Sequence, residues 1–274
     1  MGTTSIPVAA TDMDLYSTIK AETFIIAGPC VMEDVDIMMT IGETCKQLCA
    51  ERGLTYIFKV SFDKANRTSA KSYRGVGLEN GLQLLQEMKD VLNVPITTDI
   101  HESYQAEPVS RVADILQIPA FLCRQTDLLL AAAKTGKIVN IKKAQFLSAQ
   151  EMVHPIDKVR GAGNDNIIIT ERGTMFGYNN LVVDFRNLVD MRTLGVPVCM
   201  DVTHSTQRPG GLGGKSGGDS KYAPYMASAA AAVGADGFFF EVHPEPERAL
   251  SDGPNMVRLA DFAAILDKVI YHSK

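Results

Sequence analysis

The thiol of Cys30 lies just past a short apolar run, residues 24–28, in the stretch FIIAGPC. A thiol at the carboxyl end of a strand stands where α/β folds collect their chemical groups. Three residues late in the chain, His204, Glu241 and Asp252, follow or end similar runs. A thiol, an imidazole and two carboxylates suit Zn²⁺ or Fe²⁺ better than Mg²⁺. These residues predict a metal centre. No short ligand motif supports this prediction, so the alternative is that each residue has an ordinary structural role.

Cationic side chains form a second candidate site, and they lie at or after the ends of four different apolar runs. They are Lys59, Lys64, Arg67, Arg124, Lys142 and Arg172. Arginine offers phosphate a planar fork of donors, whereas lysine offers a point charge. In a chain with a formal net charge of −5, this clustering predicts an anionic substrate with more than one phosphate or carboxylate. Solvated loop charges are the alternative.

The elements that must position these residues are eight short β-rich runs. They lie at 24–28, 55–60, 95–99, 112–117, 138–141, 166–170, 197–201 and 237–241. Helical patterns with apolar residues at i, i+3 and i+4 separate them and often end in glycine. A repeat of about 30 residues predicts an α/β protein with one (β/α)₈ TIM barrel, with a doubly wound sheet as runner-up. We expect an N-terminal extension at 1–20 and the barrel at 21–274.

Composition narrows the function classes. The chain has 274 residues, 46% of them hydrophobic, which is enough for a large core. It has no basic run that indicates nucleic-acid binding, no signal-peptide pattern at its start and no membrane-length apolar stretch of roughly 18 residues. Five cysteines without regular spacing favour a reducing compartment. We therefore expect a cytoplasmic protein whose partners are neither nucleic acid nor membrane.

Two further motifs have simpler interpretations. The glycine-rich stretch at 208–220 lies inside a strand–helix unit and is typical of a mobile active-site loop rather than of a linker. Cys45 and Cys49 lie four residues apart on one helix face, which favours core packing over a redox pair. Cys199 lies within a predicted strand and is expected in the core.

The stretches at the strand ends resemble the 3-deoxy-D-manno-octulosonate 8-phosphate synthase family, also called 2-dehydro-3-deoxyphosphooctonate aldolases. The resemblance covers residues 22–270 and rests on AGPC, FKVSFDKANRTS, TDIHE, LQIPAFLCRQTDLL, NIKKAQF, ERGTMFGYNNLVVDFRNL, DVTHSTQ, KSGG and FEVHPEPERALSDGPN. It implies a tetrameric TIM-barrel transferase that condenses phosphoenolpyruvate with D-arabinose 5-phosphate for lipopolysaccharide synthesis. The alternatives are the related heptulosonate synthase, which uses erythrose 4-phosphate, a barrel aldolase with a Schiff-base lysine, and a non-catalytic sugar-phosphate-binding barrel.

The same resemblance implies roles for individual residues. Phosphoenolpyruvate would be held by Ser61, Lys64, Gln117, Lys142 and Arg172. The pentose phosphate would be held by Asn66, Arg67, Ser69 and Asp99, with Phe121 and Arg124 reaching in from a neighbouring subunit. Lys59 and Gln207 are further candidates for substrate binding, and Lys64, Lys142, His204 and Asp252 are the candidates for catalysis.

Cys30 indicates the class of enzyme within this family. With His204, Glu241 and Asp252 it matches the ligands of the metal-dependent class, whereas the metal-free class has asparagine at the position of Cys30. The expected ion is Zn²⁺ or Fe²⁺, with Mn²⁺ and Co²⁺ as alternatives. The Asp-Gly-Pro at 252–254 resembles the metal-free class instead, so the motif is mixed.

Overall fold

A closed barrel of parallel strands forms the centre of the molecule. The computed structural model describes residues 14–67, 69, 71–209 and 217–273. Within them the strands are β1 (Phe24–Gly28), β2 (Thr55–Lys59), β3 (Ile96–Asp99), β4 (Ile115–Ile118), β5 (Ile138–Lys142), β6 (Ile167–Glu171), β7 (Thr174–Gly177), β8 (Asn180–Val182), β9 (Val198–Asp201), β10 (Gln207–Arg208), β11 (Gly217–Gly218), β12 (Gly237–His243) and β13 (Val257–Arg258). The barrel order is β1-β2-β3-β4-β5-β6-β9-β12, and β1 pairs with β12 to close it. The predicted (β/α)₈ barrel is therefore confirmed.

Helices cover the outside of the barrel and connect its strands. In the described residues they are α1 (Leu15–Ala21), α2 (Val35–Ala50), α3 (Leu78–Leu92), α4 (Ala106–Ser110), α5 (Thr126–Lys134), α6 (Val153–Gly161), α7 (Arg186–Arg192), α8 (Ala223–Ala232) and α9 (Phe262–His272). The Asp34 carboxylate begins α2 by accepting hydrogen bonds from the backbone N–H groups of Asp36 and Ile37. None of the described helices combines the length and apolarity that a membrane crossing requires.

Several element boundaries differ from the sequence-based ones, and the clearest differences are at the fourth barrel strand and after β6. The fourth barrel strand begins at Ile115 rather than at Val112, because Asp114 uses its carboxylate to accept hydrogen bonds from Ile96 N and Lys89 Nζ. A hairpin of β7 and β8, with positive φ at Tyr178 and Asn179, follows β6 where no separate element was expected. The predicted loop at 208–220 begins and ends in the pair β10–β11, and its residues 210–216 lie outside the described residues.

The barrel interior has an apolar lower layer and a polar upper layer. The lower layer includes Phe24, Ile26, Ile57, Ile115, Ile138, Ile168, Cys199 and Phe239. Phe24 fills the space beside Gly237, where a β-carbon would lie 2.2 Å from its ring. Because side chains alternate along a strand, the next inward positions toward the carboxyl ends form the upper layer. Its buried polar residues are Lys59, Asp99, Gln117, Asn140, Lys142, Thr170, Asp201 and Glu241.

Helix α1 covers the amino-terminal end of the barrel. Ile19 is fully buried in the same cluster as the lower layer, and Leu15 and Tyr16 pack against that cluster. The Tyr16 hydroxyl donates a hydrogen bond to Ile167 O at 3.0 Å. Residues 15–20 thus contribute to the barrel floor, while residues 1–13 of the predicted extension lie outside the described residues. The division of the chain at residue 20 remains a prediction.

Replacing Ile19 with alanine should destabilise the protein by about 2–5 kcal/mol, because it removes buried methyl groups and leaves a cavity in the barrel floor. Urea unfolding followed by circular dichroism measures the change. Val91→Ala is the matched control, because Val91 is 61% exposed on α3, and its effect should stay within about 0.5 kcal/mol. An equal effect of the two substitutions would contradict the role given to α1.

Candidate active site

The carboxyl ends of the barrel strands surround a cavity of about 1670 Å³. The predicted site residues that line it are Cys30, Lys59, Lys64, Asn66, Arg67, Ser69, Asp99, Gln117, Phe121, Lys142, Arg172, His204, Gln207 and Asp252. Ser61 and Glu241 are fully buried and join the site through contacts with its lining residues. Arg124, the remaining predicted site residue, does not line the cavity of its own chain.

Three of the four predicted metal ligands come together. One ligand atom from each of His204, Glu241 and Asp252 lies within 4.8 Å of the others. His204 Nε2 is 3.6 Å from Glu241 Oε2 and 3.5 Å from Asp252 Oδ2. The Glu241 Oε2 atom is buried and has no hydrogen-bond partner among the described residues. An unpartnered carboxylate oxygen beside an imidazole and a second carboxylate fits a divalent ion.

Cys30 lies at the edge of this group. The Cys30 Sγ atom is 2.8 Å from Ser251 Oγ, and Ser251 precedes Asp252 in the chain. The group of three ligands formed by His204, Glu241 and Asp252 does not include Cys30. Burial, together with the Glu241 charge, raises the pKa of the Cys30 thiol to about 12. A thiol in this setting stays protonated unless a cation stabilises the thiolate. Its role as fourth ligand therefore remains a prediction.

Asp201 positions the His204 ring, and it was not among the predicted site residues. Its carboxylate lies 2.8 Å from His204 Nδ1 and accepts a hydrogen bond from His204 N at 2.9 Å. This contact turns Nε2 toward Glu241 and Asp252, as carboxylate partners of metal-binding histidines do. Although burial opposes ionisation, His204 and Lys142 hold the pKa of Asp201 below its usual range. The signal available in the sequence was its inward position at the end of a barrel strand.

Two buried lysines balance the negative charges of Glu241 and Asp99. Lys59 Nζ is 2.9 Å from Glu241 Oε1 and donates to Cys30 O at 3.0 Å. Lys64 Nζ lies 3.7 Å from Glu241 Oε1 and 3.8 Å from Asp99 Oδ2. Burial opposes ionisation of both carboxylates, but these ammonium groups hold their pKa values below the usual range. Both carboxylates are therefore ionised at neutral pH.

A chain of hydrogen bonds crosses the upper layer from β2 to β6. Ser61 Oγ and Gln117 Nε2 both donate to the Asp99 carboxylate. Gln117 Oε1 accepts from Asn140 Nδ2 at 3.0 Å, and Asn140 Oδ1 accepts from Thr170 Oγ1 at 2.7 Å. Sequence reasoning missed Asn140 and Thr170, although both occupy inward positions of predicted strands. This series of hydrogen bonds fixes the orientation of the Gln117 amide, which is a predicted substrate-binding group.

Lys142 ends β5 and Arg172 directly follows β6, and both cations line the cavity. Lys142 Nζ is 2.6 Å from Asp201 Oδ2 and 3.7 Å from the centroid of the Phe239 ring. Arg172 Nη2 donates to Gln207 Oε1 at 2.6 Å, while its Nη1 is buried without an acceptor among the described residues. Burial lowers the pKa of the guanidinium. An anion between the two residues would provide the missing acceptor.

The loop after β2 supplies a second cationic region. Asn66, Arg67 and Ser69 line the cavity there. Arg67 Nε donates to Tyr73 O at 3.0 Å, and its Nη2 has no partner among the described residues. After β4, Phe121 also lines the cavity, with its side chain half exposed. The cavity therefore carries a second set of cationic and polar donors on a different loop from Lys142 and Arg172.

Comparisons with known proteins identify the family of this chain. Residues 13–272 match the DAHP synthetase I family. The chain belongs to the DAHP synthetase I family. It is 56% identical over 246 residues, 90% of each chain, to a 2-dehydro-3-deoxyphosphooctonate aldolase of Cyanothece sp.. Proteins of the same name from Fusobacterium nucleatum (54% over 247 residues, 90% of this chain and 89% of the relative) and Nitratidesulfovibrio vulgaris (51% over 255 residues, 93% of each) are also similar. The family resemblance inferred from the motifs is confirmed.

Proposed function

We propose that this chain condenses phosphoenolpyruvate with D-arabinose 5-phosphate and water, forming 3-deoxy-D-manno-octulosonate 8-phosphate and inorganic phosphate. The presence of Lys142 and Arg172 in the lining of a cavity where His204, Glu241 and Asp252 also come together is the observation that carries the proposal. The names of the similar proteins support it and disfavour the heptulosonate alternative. Such a product serves lipopolysaccharide synthesis.

The two substrates would lie end to end across the cavity. Lys142 and Arg172 hold the phosphate of phosphoenolpyruvate, while Arg67 holds the distal phosphate of the pentose. C3 of the enol then forms a bond to the aldehyde carbon, whose oxygen takes up a proton and becomes a hydroxyl. Water adds its hydroxyl at C2 and supplies that proton. The C2–O bond to phosphate then breaks, which leaves a ketone at C2 and releases inorganic phosphate. The residues contribute mainly by orienting the reactants and by stabilising the charge on the phosphate that leaves.

The metal-binding residues fit the same proposal. Cys30, His204, Glu241 and Asp252 would hold a divalent ion, with Zn²⁺ or Fe²⁺ expected and Mn²⁺ or Co²⁺ as alternatives. Such an ion supplies Lewis-acid chemistry when bound, by polarising an oxygen atom or by lowering the pKa of water. Asp201 keeps the His204 ring oriented, and Lys59 keeps Glu241 ionised. Gln207 donates to Asp252 Oδ2 at 3.0 Å and links this group to Arg172.

Assembly into a homo-oligomer, most simply a tetramer, belongs to the proposal. Phe121 and Arg124 would complete the site of a neighbouring subunit. Exposed aromatic side chains that a neighbouring subunit could cover support this, including Phe146 at 50% and Tyr178 at 97% exposure. We also place the enzyme in the cytoplasm, because all five cysteines are buried free thiols.

Phosphate release tests the function directly. Purified enzyme should release phosphate with phosphoenolpyruvate plus arabinose 5-phosphate, and much more slowly with erythrose 4-phosphate. Faster turnover with erythrose 4-phosphate would favour the heptulosonate reaction. Binding of both sugar phosphates without any release would favour a binding protein, and trapping of a lysine adduct with borohydride would favour a Schiff-base aldolase.

Removal of the metal should abolish turnover, and Zn²⁺, Mn²⁺, Fe²⁺ or Co²⁺ should restore it to different extents. Cys30→Ser should bind less metal by elemental analysis and lose most activity, since a hydroxyl is a poorer ligand than a thiolate. Cys30→Asn should keep modest activity that a chelator does not change, because the metal-free class has asparagine there. Cys123→Ala, which removes a buried thiol outside the cavity, should keep its metal. Full activity of metal-stripped wild-type enzyme would contradict the metal requirement.

Arg67→Ala should weaken the use of arabinose 5-phosphate by about 2–3 kcal/mol of transition-state binding, because a charge-assisted contact with phosphate is lost. Steady-state kinetics should show little change in the KM for phosphoenolpyruvate. Arg74→Ala is the matched control, since Arg74 lies on the same loop but pairs with Asp63 outside the cavity. Equal losses for both substrates with Arg67→Ala would contradict the assignment.

A further inference from the structure

A fully buried ion pair lies behind the wall of the cavity. Lys142 and Arg172 face the barrel interior, whereas the neighbouring residues, Lys143 on the β5 side and Glu171 on the β6 side, face outward. Their side chains are 0% exposed, and Lys143 Nζ lies 3.6 Å from Glu171 Oε2. The mechanism proposed above does not use this pair.

Stability alone does not account for it. Burying two charges is costly, and an apolar pair of similar volume often gives equal or greater stability. The contacts of the two side chains with the surrounding backbone therefore indicate what the pair does. Both charged groups are directed at segments that carry cavity residues.

Lys143 holds the segment that leaves β5. Its ammonium group donates to Ala144 O at 3.2 Å and to Leu147 O at 3.1 Å. It also lies 3.5 Å from Thr174 Oγ1 at the start of β7. These contacts join the exit of β5 to the hairpin that follows β6, and Lys142 is the residue just before this segment.

Glu171 holds the turn that carries Arg172. One oxygen, Oε1, accepts hydrogen bonds from Arg172 N at 3.1 Å and from Gly173 N at 2.6 Å. The other oxygen accepts from Asn187 Nδ2 at 3.4 Å, which connects the turn to the start of α7. Gly173 has a φ of 89°, a backbone conformation that other residue types adopt only with strain. The Glu171 carboxylate therefore stabilises a turn that depends on this glycine.

We propose that Lys143 and Glu171 are positioning residues that fix the separation between Lys142 and Arg172. One side chain anchors the backbone beside Lys142 and the other anchors the backbone of Arg172. The ion pair joins the two anchors across the β5–β6 seam. A single phosphate can then receive contacts from both cations at once. This inference rests on the proposed function of the cavity, and it assigns the pair specifically to the phosphoenolpyruvate side.

Substitutions at the pair should change the use of one substrate. Glu171→Ala and Lys143→Met should each raise the KM and the Kd for phosphoenolpyruvate about tenfold, because small displacements of positioning groups weaken substrate binding strongly. The KM for arabinose 5-phosphate should change less than about twofold, since Arg67 lies on another loop. Glu171→Gln should restore most of the affinity, because its amide oxygen still accepts hydrogen bonds from Arg172 N and Gly173 N.

Asp114→Asn provides the matched control. Asp114 pairs with Lys89 at 2.7 Å and accepts a backbone hydrogen bond from Ile96 N at 2.9 Å, at the other end of the barrel. This variant should lower the melting temperature without a change in the KM for phosphoenolpyruvate. If Glu171→Ala fails to fold, Asn187→Ala removes one contact of the same carboxylate, and it should raise that KM about threefold.

The outcomes separate the positioning role from the proposed function. Folded Glu171→Ala, Lys143→Met or Asn187→Ala enzyme with an unchanged KM for phosphoenolpyruvate would overturn the positioning role, as would equal increases for both substrates. A wild-type enzyme that releases no phosphate would instead overturn the proposed function. Isothermal titration with phosphoenolpyruvate provides the affinity without dependence on turnover.

Discussion

Charge neutrality inside the barrel mouth is the constraint on which the site depends. Four cations, Lys59, Lys64, Lys142 and Arg172, share this space with Asp99, Asp201, Glu241 and Asp252. None of these groups can be buried as an isolated charge, because the loss of hydration would cost far more than packing returns. The apolar lower layer and α1 exclude water from below, so the charges must satisfy one another.

This balance explains how one cavity can suit both a divalent ion and two phosphorylated substrates. A divalent ion held by His204, Glu241 and Asp252 would balance the negative charge of Glu241, which Lys59 and Lys64 balance in its absence. The cations would then be available to anionic substrates, and the contact between Lys142 and Asp201 links the two sides. Metal and phosphate binding would therefore support each other through charges already present in the barrel.

The sequence predicted the barrel because short β-rich runs and the spacing of apolar residues in helices are local signals. It also predicted most of the residues that the structure brings to one cavity, since parallel strands bring their carboxyl ends to one rim. It did not predict the partnership of Asp201 with His204 or the chain through Asn140 and Thr170, because these depend on neighbours across strands. The contact between Cys30 and Ser251 likewise depends on residues far apart in the sequence.

The structure of the enzyme with bound phosphoenolpyruvate tests the central claim most directly. The claim is that the ends of β5 and β6 form one phosphate site from Lys142 and Arg172. Crystallographic density should place the phosphate within hydrogen-bond distance of both side chains, with Arg172 Nη1 among its donors. A phosphate bound in the loop after β2, away from both residues, would contradict the account.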